Sequence, residues 1–177
     1  GVMVLRLEPR THADVQRVLR TVAEAIGVPR SEADRVWREI DAGVQAAVQS
    51  LKPQARSLRV YFEVSPTPYG ASESSFIGET LLRMGVRNIL PAALGPFPQI
   101  NPEFVVRAQP DVIMAGDSSR ASMLQRPGWA QMRAVREDRI CVFQPEQADI
   151  VVRAGPRMAE GARLMAECLN RTAGGAR

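Results

Sequence analysis

The sequence predicts an α/β protein, a three-layer lobe with a mostly parallel sheet flanked by helices and preceded by one long helix. Two observations carry this. Short apolar runs bounded by turn residues alternate with stretches of helical periodicity, the pattern of a sheet covered by helices. Within that alternation, residues 59–90 read as a buried strand, a polar-aromatic loop and an amphipathic helix in direct succession. Ligands of open α/β sheets gather where strands release the chain at their carboxyl ends. The loop 65–75 is therefore the first expected binding surface.

Taken in order, residues 2–7 read as a strand entered partway. Thr11 opens a helix with Val15, Val18, Leu19, Val22 and Ile26 at helical spacing, ended by Gly27 and Pro29. Ser31 caps a longer helix over 31–51, striped by Val36, Trp37, Ile40, Val44, Val48 and Leu51. Val60, Phe62 and Val64 then alternate with Tyr61 and Glu63 in a strand that Pro66 and Pro68 stop. Ser72, Ser74 and Ser75 offer N-caps to a helix whose apolar face is Phe76, Ile77, Leu81, Leu82 and Met84, with Gly85 at its end. A short strand at 88–90 and a proline-rich loop at 94–100 follow. Asn101 caps a short helix, and 111–115 and 140–143 are buried strands. Residues 116–120 read as a polar turn, 125–132 as a loop with a helical turn, and 144–154 as a loop. A final amphipathic helix spans 156–170, with 172–177 as a frayed tail. Trp37 and Trp129 sit in apolar patterns and are expected in the core.

Composition excludes several function classes. The apolar fraction of 45% and charged fraction of 24% are those of a globular protein, and aromatics are scarce at 5%. Twenty-three Lys and Arg against 19 Asp and Glu leave a net charge of +4, spread among acidic residues without a run that could neutralise a row of phosphates. No nucleic-acid partner is expected. No apolar run approaches the roughly 20 residues needed to cross a bilayer. The first residues carry neither the basic segment nor the long apolar core of a signal peptide, so the chain reads as a mature fragment or a piece of a larger protein. Cys141 and Cys168 leave one possible disulfide, which the sequence does not decide.

Reactive chemistry is sparse. His12 is the only histidine and stands in the first turn of an expected helix. No cluster has metal-ligand spacing, and neither a GxGxxG nor a GxxxxGK[ST] loop occurs, so no metal and no cofactor are expected. The serines at 72–75 lack a nucleophile elbow and a base. Glu73 complements a helix N-terminus, and Glu79 reads as part of a solvated face.

Four segments occur in a recognisable order: VYFEVSPTPYGASESSFIGETLLRMGVRNI, FPQINPEFVVRAQPDVIMAG, RPGWAQMRAVREDRICVF and VVRAGPRMAEGARLMAECL. Together they resemble the substrate-binding proteins of ABC importers for metal chelates, the periplasmic or lipid-anchored receptors for ferric siderophores, haem and cobalamin. THADVQRVLRTVAEAIGVP and the helix after it resemble the family's lead-in and its rigid interdomain-type helix. The resemblance implies that 1–30 is the end of an amino-terminal lobe, 31–54 the linking helix, 55–171 the carboxy-terminal ligand-binding lobe and 172–177 a tail. Such a piece supplies half of a cleft.

The resemblance further implies three contributing loops and a binding rather than catalytic role. Tyr69, with Ser72 and Glu73, belongs to the first loop, and Phe97 tips the second. Arg153, in the loop 147–153 after the last strand, is available to a chelate's carboxylates. Asp117, Ser118 and Arg120 line the same rim. The plainer readings are that Tyr69 closes its own turn on Pro68, that Phe97 anchors its loop, and that Arg153 pairs with Asp149. The family docks on its permease through a carboxylate that, in the cobalamin receptor, immediately precedes an Arg-Ala-x-Pro-Arg segment. Here RAGPR is preceded by Val152, so Asp149 or Glu146 is expected to substitute, with Glu160 a further exposed candidate. The expected ligand is a corrinoid or ferric siderophore, the partner a membrane permease, the state monomeric and the location periplasmic or lipid-anchored. An α/β reductase or isomerase and a protein-interaction or sensor domain are the competing readings.

Overall fold

Thr11 caps the first helix, α1 (His12–Ala25), reciprocally: its hydroxyl accepts from the Asp14 N–H at 3.1 Å while the Asp14 carboxylate accepts from the Thr11 N–H at 3.1 Å. The computed structural model describes residues 4–66, 68–116, 118 and 120–174. Helix α2 (Arg30–Gln49) follows Pro29 directly and has no side-chain cap, so Ser31 lies inside it rather than before it. An ion pair between Arg20 and Asp34, 2.6 Å apart, joins α1 to α2. The expected strand over 2–7 does not form in residues 4–7, and Val4 is 83% exposed. A strand needs a neighbour to satisfy its ladder, and none of the described strands lies beside it. Val2 and Met3 lie outside the described residues.

The sheet is built on β1 (Arg59–Ser65). It pairs in parallel with β3 (Arg87–Asn88) and β4 (Val112–Ala115), and β4 pairs in parallel with β5 (Ile140–Val142). The two-residue β2 (Tyr69–Gly70) folds back antiparallel on the end of β1. On one face Val60, Phe62, Val112, Met114 and Cys141 pack with residues of α2, α3 (Phe76–Arg83), α7 (Pro145–Val152) and α8 (Met158–Ala173). On the other, Tyr61, Ile113 and Ile140 pack with Leu90, Trp129, Val105 of α4 (Pro102–Ala108), Met123 of α5 (Arg120–Leu124) and Ala134 of α6 (Arg133–Arg136). Because both faces are covered, the interior of β1 is buried on both sides, Glu63 included.

Further elements depart from expectation. The segment after β5 is the helix α7, not a loop. Gln144 and Gln147 form a reciprocal capping box, Pro145 takes the first helical position, and Ala148, Ile150 and Val151 are buried. Helix α8 continues to Ala173 with Thr172 buried, past the expected end at Asn170. Residues 175–177 lie outside the described residues. Leu82 is 62% exposed because it falls on the solvent side of α3. Trp129 is fully buried, whereas Trp37 is half-buried at the core's edge, its ring edge-on to His12. Cys141 and Cys168 form a disulfide between β5 and α8 with Cα atoms 6.1 Å apart.

Candidate ligand-binding site

The carboxyl ends of β1 and β4 release the chain side by side, the Gly116 N–H donating to the Glu63 carbonyl at 2.8 Å. After β1 the chain turns through β2, in a register pairing Ser65 with Tyr69 and Glu63 with Gly70. The proline-rich loop then runs along this hairpin: Gly70 donates to the Pro98 carbonyl at 3.0 Å, Ser72 to Pro96 at 3.0 Å and Ile100 to Pro68 at 2.7 Å. Tyr69 bridges Gln99. The first two expected loops are therefore one hydrogen-bonded surface. Gly70 makes this possible, since a Cβ there would stand 2.3 Å from the Leu90 side chain.

On that surface Tyr69 is 40% exposed, a flat ring with a hydroxyl at the strand ends. Phe97 is half-buried against Phe76, ring centroids 6.1 Å apart, so it anchors its loop. Ser72 is fully buried and so does not reach a ligand. Its hydroxyl accepts from the Ser74 N–H at 3.1 Å, and the first turn of α3 lies so close that a Cβ on Gly78 would stand 1.9 Å from the Ser72 carbonyl oxygen. Glu73 is half-buried and accepts from the Ala92 N–H at 3.3 Å, tying the helix entry to the second loop. The cap of α3 is Ser75, whose Oγ accepts from the Gly78 N–H at 3.0 Å.

Around the rest of the strand ends, Val152 closes on Gly116: a Cβ on that glycine would stand 2.6 Å from a Val152 methyl. This brings the last turn of α7 beside the rim, with Arg153 just beyond it. Arg153 caps α7 instead of opening α8, and its guanidinium pairs with Asp149 one turn back at 3.0 Å. Asp149 and Glu146 are both exposed on α7. Arg120 is not on the rim: it pairs with Asp138, in the turn before β5 and so toward the opposite end of the sheet. The carboxylate it finds there is 76% exposed, which leaves the pair on the flank of the edge strand. Asp117 lies outside the described residues.

The sequence patterns passed over one cluster at the strand ends. Glu63 is fully buried and receives both Nη atoms of Arg126, at 2.6 and 2.9 Å, together with the hydroxyls of Ser118 and, at 3.3 Å, Tyr61. Burial first, then the facing carboxylate, raises the Tyr61 phenol far above its ordinary range, so it stays protonated as a donor. The hydrogen bond to Glu63 likewise raises the Arg126 guanidinium, leaving it charged. A lone carboxylate inside the apolar run VYFEV was the available signal, because such a group needs a counter-ion. No group of three or more His, Cys, Asp or Glu able to hold a metal ion occurs among the described residues.

Residues 1–146 match a family described as periplasmic binding protein. The chain belongs to that family. Among its relatives, the ABC transporter substrate-binding lipoprotein YvrC of Bacillus subtilis is 27% identical over 175 residues, covering 96% of this chain and 54% of that protein. This chain thus spans about half the length of that relative. A possible iron-binding (periplasmic solute-binding) protein of Staphylococcus epidermidis superposes with a TM-score of 0.79 at 20% identity, over 95% of this chain and 66% of that one. The periplasmic vitamin B12-binding protein of Vibrio cholerae gives 0.70 at 18% identity, over 97% and 66%. These two likenesses establish the fold. For this periplasmic binding protein, the family is one of binding proteins and not of enzymes, as the missing catalytic apparatus led us to expect. No helix among the described residues is long and apolar enough to cross a membrane.

Proposed function

We infer that the chain is the linking helix and carboxy-terminal lobe of the substrate-binding component of an ABC importer. It captures a metal chelate, a cobalamin or ferric siderophore, between two lobes and delivers it to a membrane permease. In this reading residues 1–30 close an amino-terminal lobe, 31–54 link, and 55–171 form the second wall of the cleft. The observation that carries it is the rim itself: an exposed Tyr69 on two hydrogen-bonded loops at the carboxyl ends of a parallel sheet. Family membership and the coverage of longer relatives support the two-lobe arrangement. The names of structural neighbours, which bind vitamin B12 or haem, support a metal chelate as the ligand class. Residues 65–75, 94–99 and 147–153 contain neither His nor Met, which favours a corrinoid or siderophore over haem ligation from this side.

Asp149 or Glu146, exposed on α7 next to the rim, serves as the carboxylate that meets the permease. The receptor works as a monomer without a nucleic-acid partner. An extracytoplasmic site agrees with the disulfide, which oxidising compartments preserve, and with the lipoprotein relative. The test is a calorimetric or tryptophan-fluorescence titration of the full-length protein with cyanocobalamin, haemin and ferrichrome. Saturable binding of cyanocobalamin or ferrichrome is expected, and binding of none of the three overturns the reading.

A further inference from the structure

Glu63 is the single fully buried carboxylate among the described residues, at the carboxyl end of the central strand. A carboxylate there persists as an anion only with a full set of donors. Those donors come from three parts of the chain. Tyr61 is on β1 itself, Ser118 follows β4, and Arg126 follows α5. Arg126 also reaches the Pro66 carbonyl at 3.5 Å, at the start of the β1–β2 turn, and its guanidinium lies 4.5 Å from the centre of the buried Trp129 ring. Its side chain is only 15% exposed, so the fork is held from both sides.

We propose that Glu63 is a positioning residue for the ligand rim. Its carboxylate is the common anchor that ties Ser118 and Arg126 to the end of β1 and the hairpin loop beginning at Pro66, so that the strand ends present one fixed wall to the ligand. Met123 packs the segment between Ser118 and Arg126 onto the core and Arg120 pairs with Asp138, but α5 is only five residues long and a helix of that length does not by itself set the placement of the residues on either side of it. Stability alone is a poor account of the cluster. A buried ion pair is often matched or exceeded by apolar residues of similar volume. What the forked contact supplies is direction, because two parallel N–H to oxygen bonds admit one placement of the guanidinium. Apolar replacements at Glu63 and Arg126 refill the volume without that constraint, leaving the Tyr61 and Ser118 hydroxyls to find other acceptors, so a local change in the rim is read separately from overall stability.

The inference rests on reading the strand-end loops as the binding rim, and its test needs no ligand, so the two can fail independently. Amide hydrogen exchange is followed by mass spectrometry in the ligand-free full-length protein, its Glu63→Gln variant and its Glu63→Met/Arg126→Leu double variant. In both variants exchange rises together in residues 65–75 and 116–128, on the order of tenfold, while α2 and α8 keep wild-type protection. The double variant shows this loosening even where its melting temperature equals or exceeds that of wild type. If Glu63→Gln does not fold, the double variant decides. Wild-type exchange in both rim segments of a folded variant, or a rise spread equally over α2 and α8, overturns the proposal.

Discussion

His12 shows how much a single side chain depends on its surroundings. Its Nε2 lies 3.1 Å from the Phe76 carbonyl and 2.9 Å from Thr80 Oγ1. The Thr80 hydroxyl already donates to Phe76 at 2.8 Å, so Nε2 carries the hydrogen and Nδ1 faces the Arg83 guanidinium at 3.4 Å. Burial, with help from Arg83, lowers the imidazole pKa from its ordinary 6.5, against the opposing pull of Glu79, the Phe76 carbonyl and Asp41. With a folded value below the unfolded one, the unfolded chain binds the proton first. Stability is therefore complete above about pH 6.5 and declines as pH falls below it toward the folded value. Thermal melts between pH 5.5 and 7.5 should show that decline, and His12→Gln should flatten it. At the rim, Tyr69→Ala should weaken binding of the chelate by about tenfold or more, the loss of roughly 1.5–3 kcal/mol of ring burial. Ser72→Ala should leave ligand contacts intact, because its hydroxyl is spent inside the turn. Titration of both variants against the ligand that the wild type binds checks the contrast.

At the scale of elements, α7 is the instructive case. The sequence reads the run after β5 as a loop, although Gln144, Pro145 and Gln147 carry the signals of a helix start. Only the burial of Ala148, Ile150 and Val151 against the sheet and α8 makes the helix worthwhile. The consequence is functional, since Asp149, Glu146 and Arg153 ride on a helix and its cap, with Asp149 already engaged by Arg153. That pair is exposed and weak, so reversing the charge at Asp149 should cost less than about 1 kcal/mol of stability. If Asp149 is the docking carboxylate, Asp149→Lys in the full-length protein should abolish uptake while ligand affinity stays unchanged. Unaltered uptake removes Asp149 and leaves Glu146 and Glu160. Strands β1 and β4 and helices α1, α3 and α4 were legible in advance, since each carries its own apolar period and stop or cap residues.

Over the whole molecule, the disulfide joins an edge strand to the last helix across 27 residues of sequence. Closing a loop of that size contributes about 3.5 kcal/mol in the chain-entropy picture. Dithiothreitol, or Cys168→Ser paired with Cys141→Ser, should therefore lower the melting temperature by several degrees or more, measured by circular dichroism. The sequence alone determined the α/β class and the alternation of strands and helices. These follow from local periodicity and capping residues. Only the tertiary structure decided that Ser72 is buried, that Arg120 turns back to Asp138 and that Cys141 reaches Cys168. Only it joined Glu63 to Arg126, 63 residues apart. A counter-ion is required by the energetics of burial, but which cation fills that place is settled by how the sheet brings distant segments together.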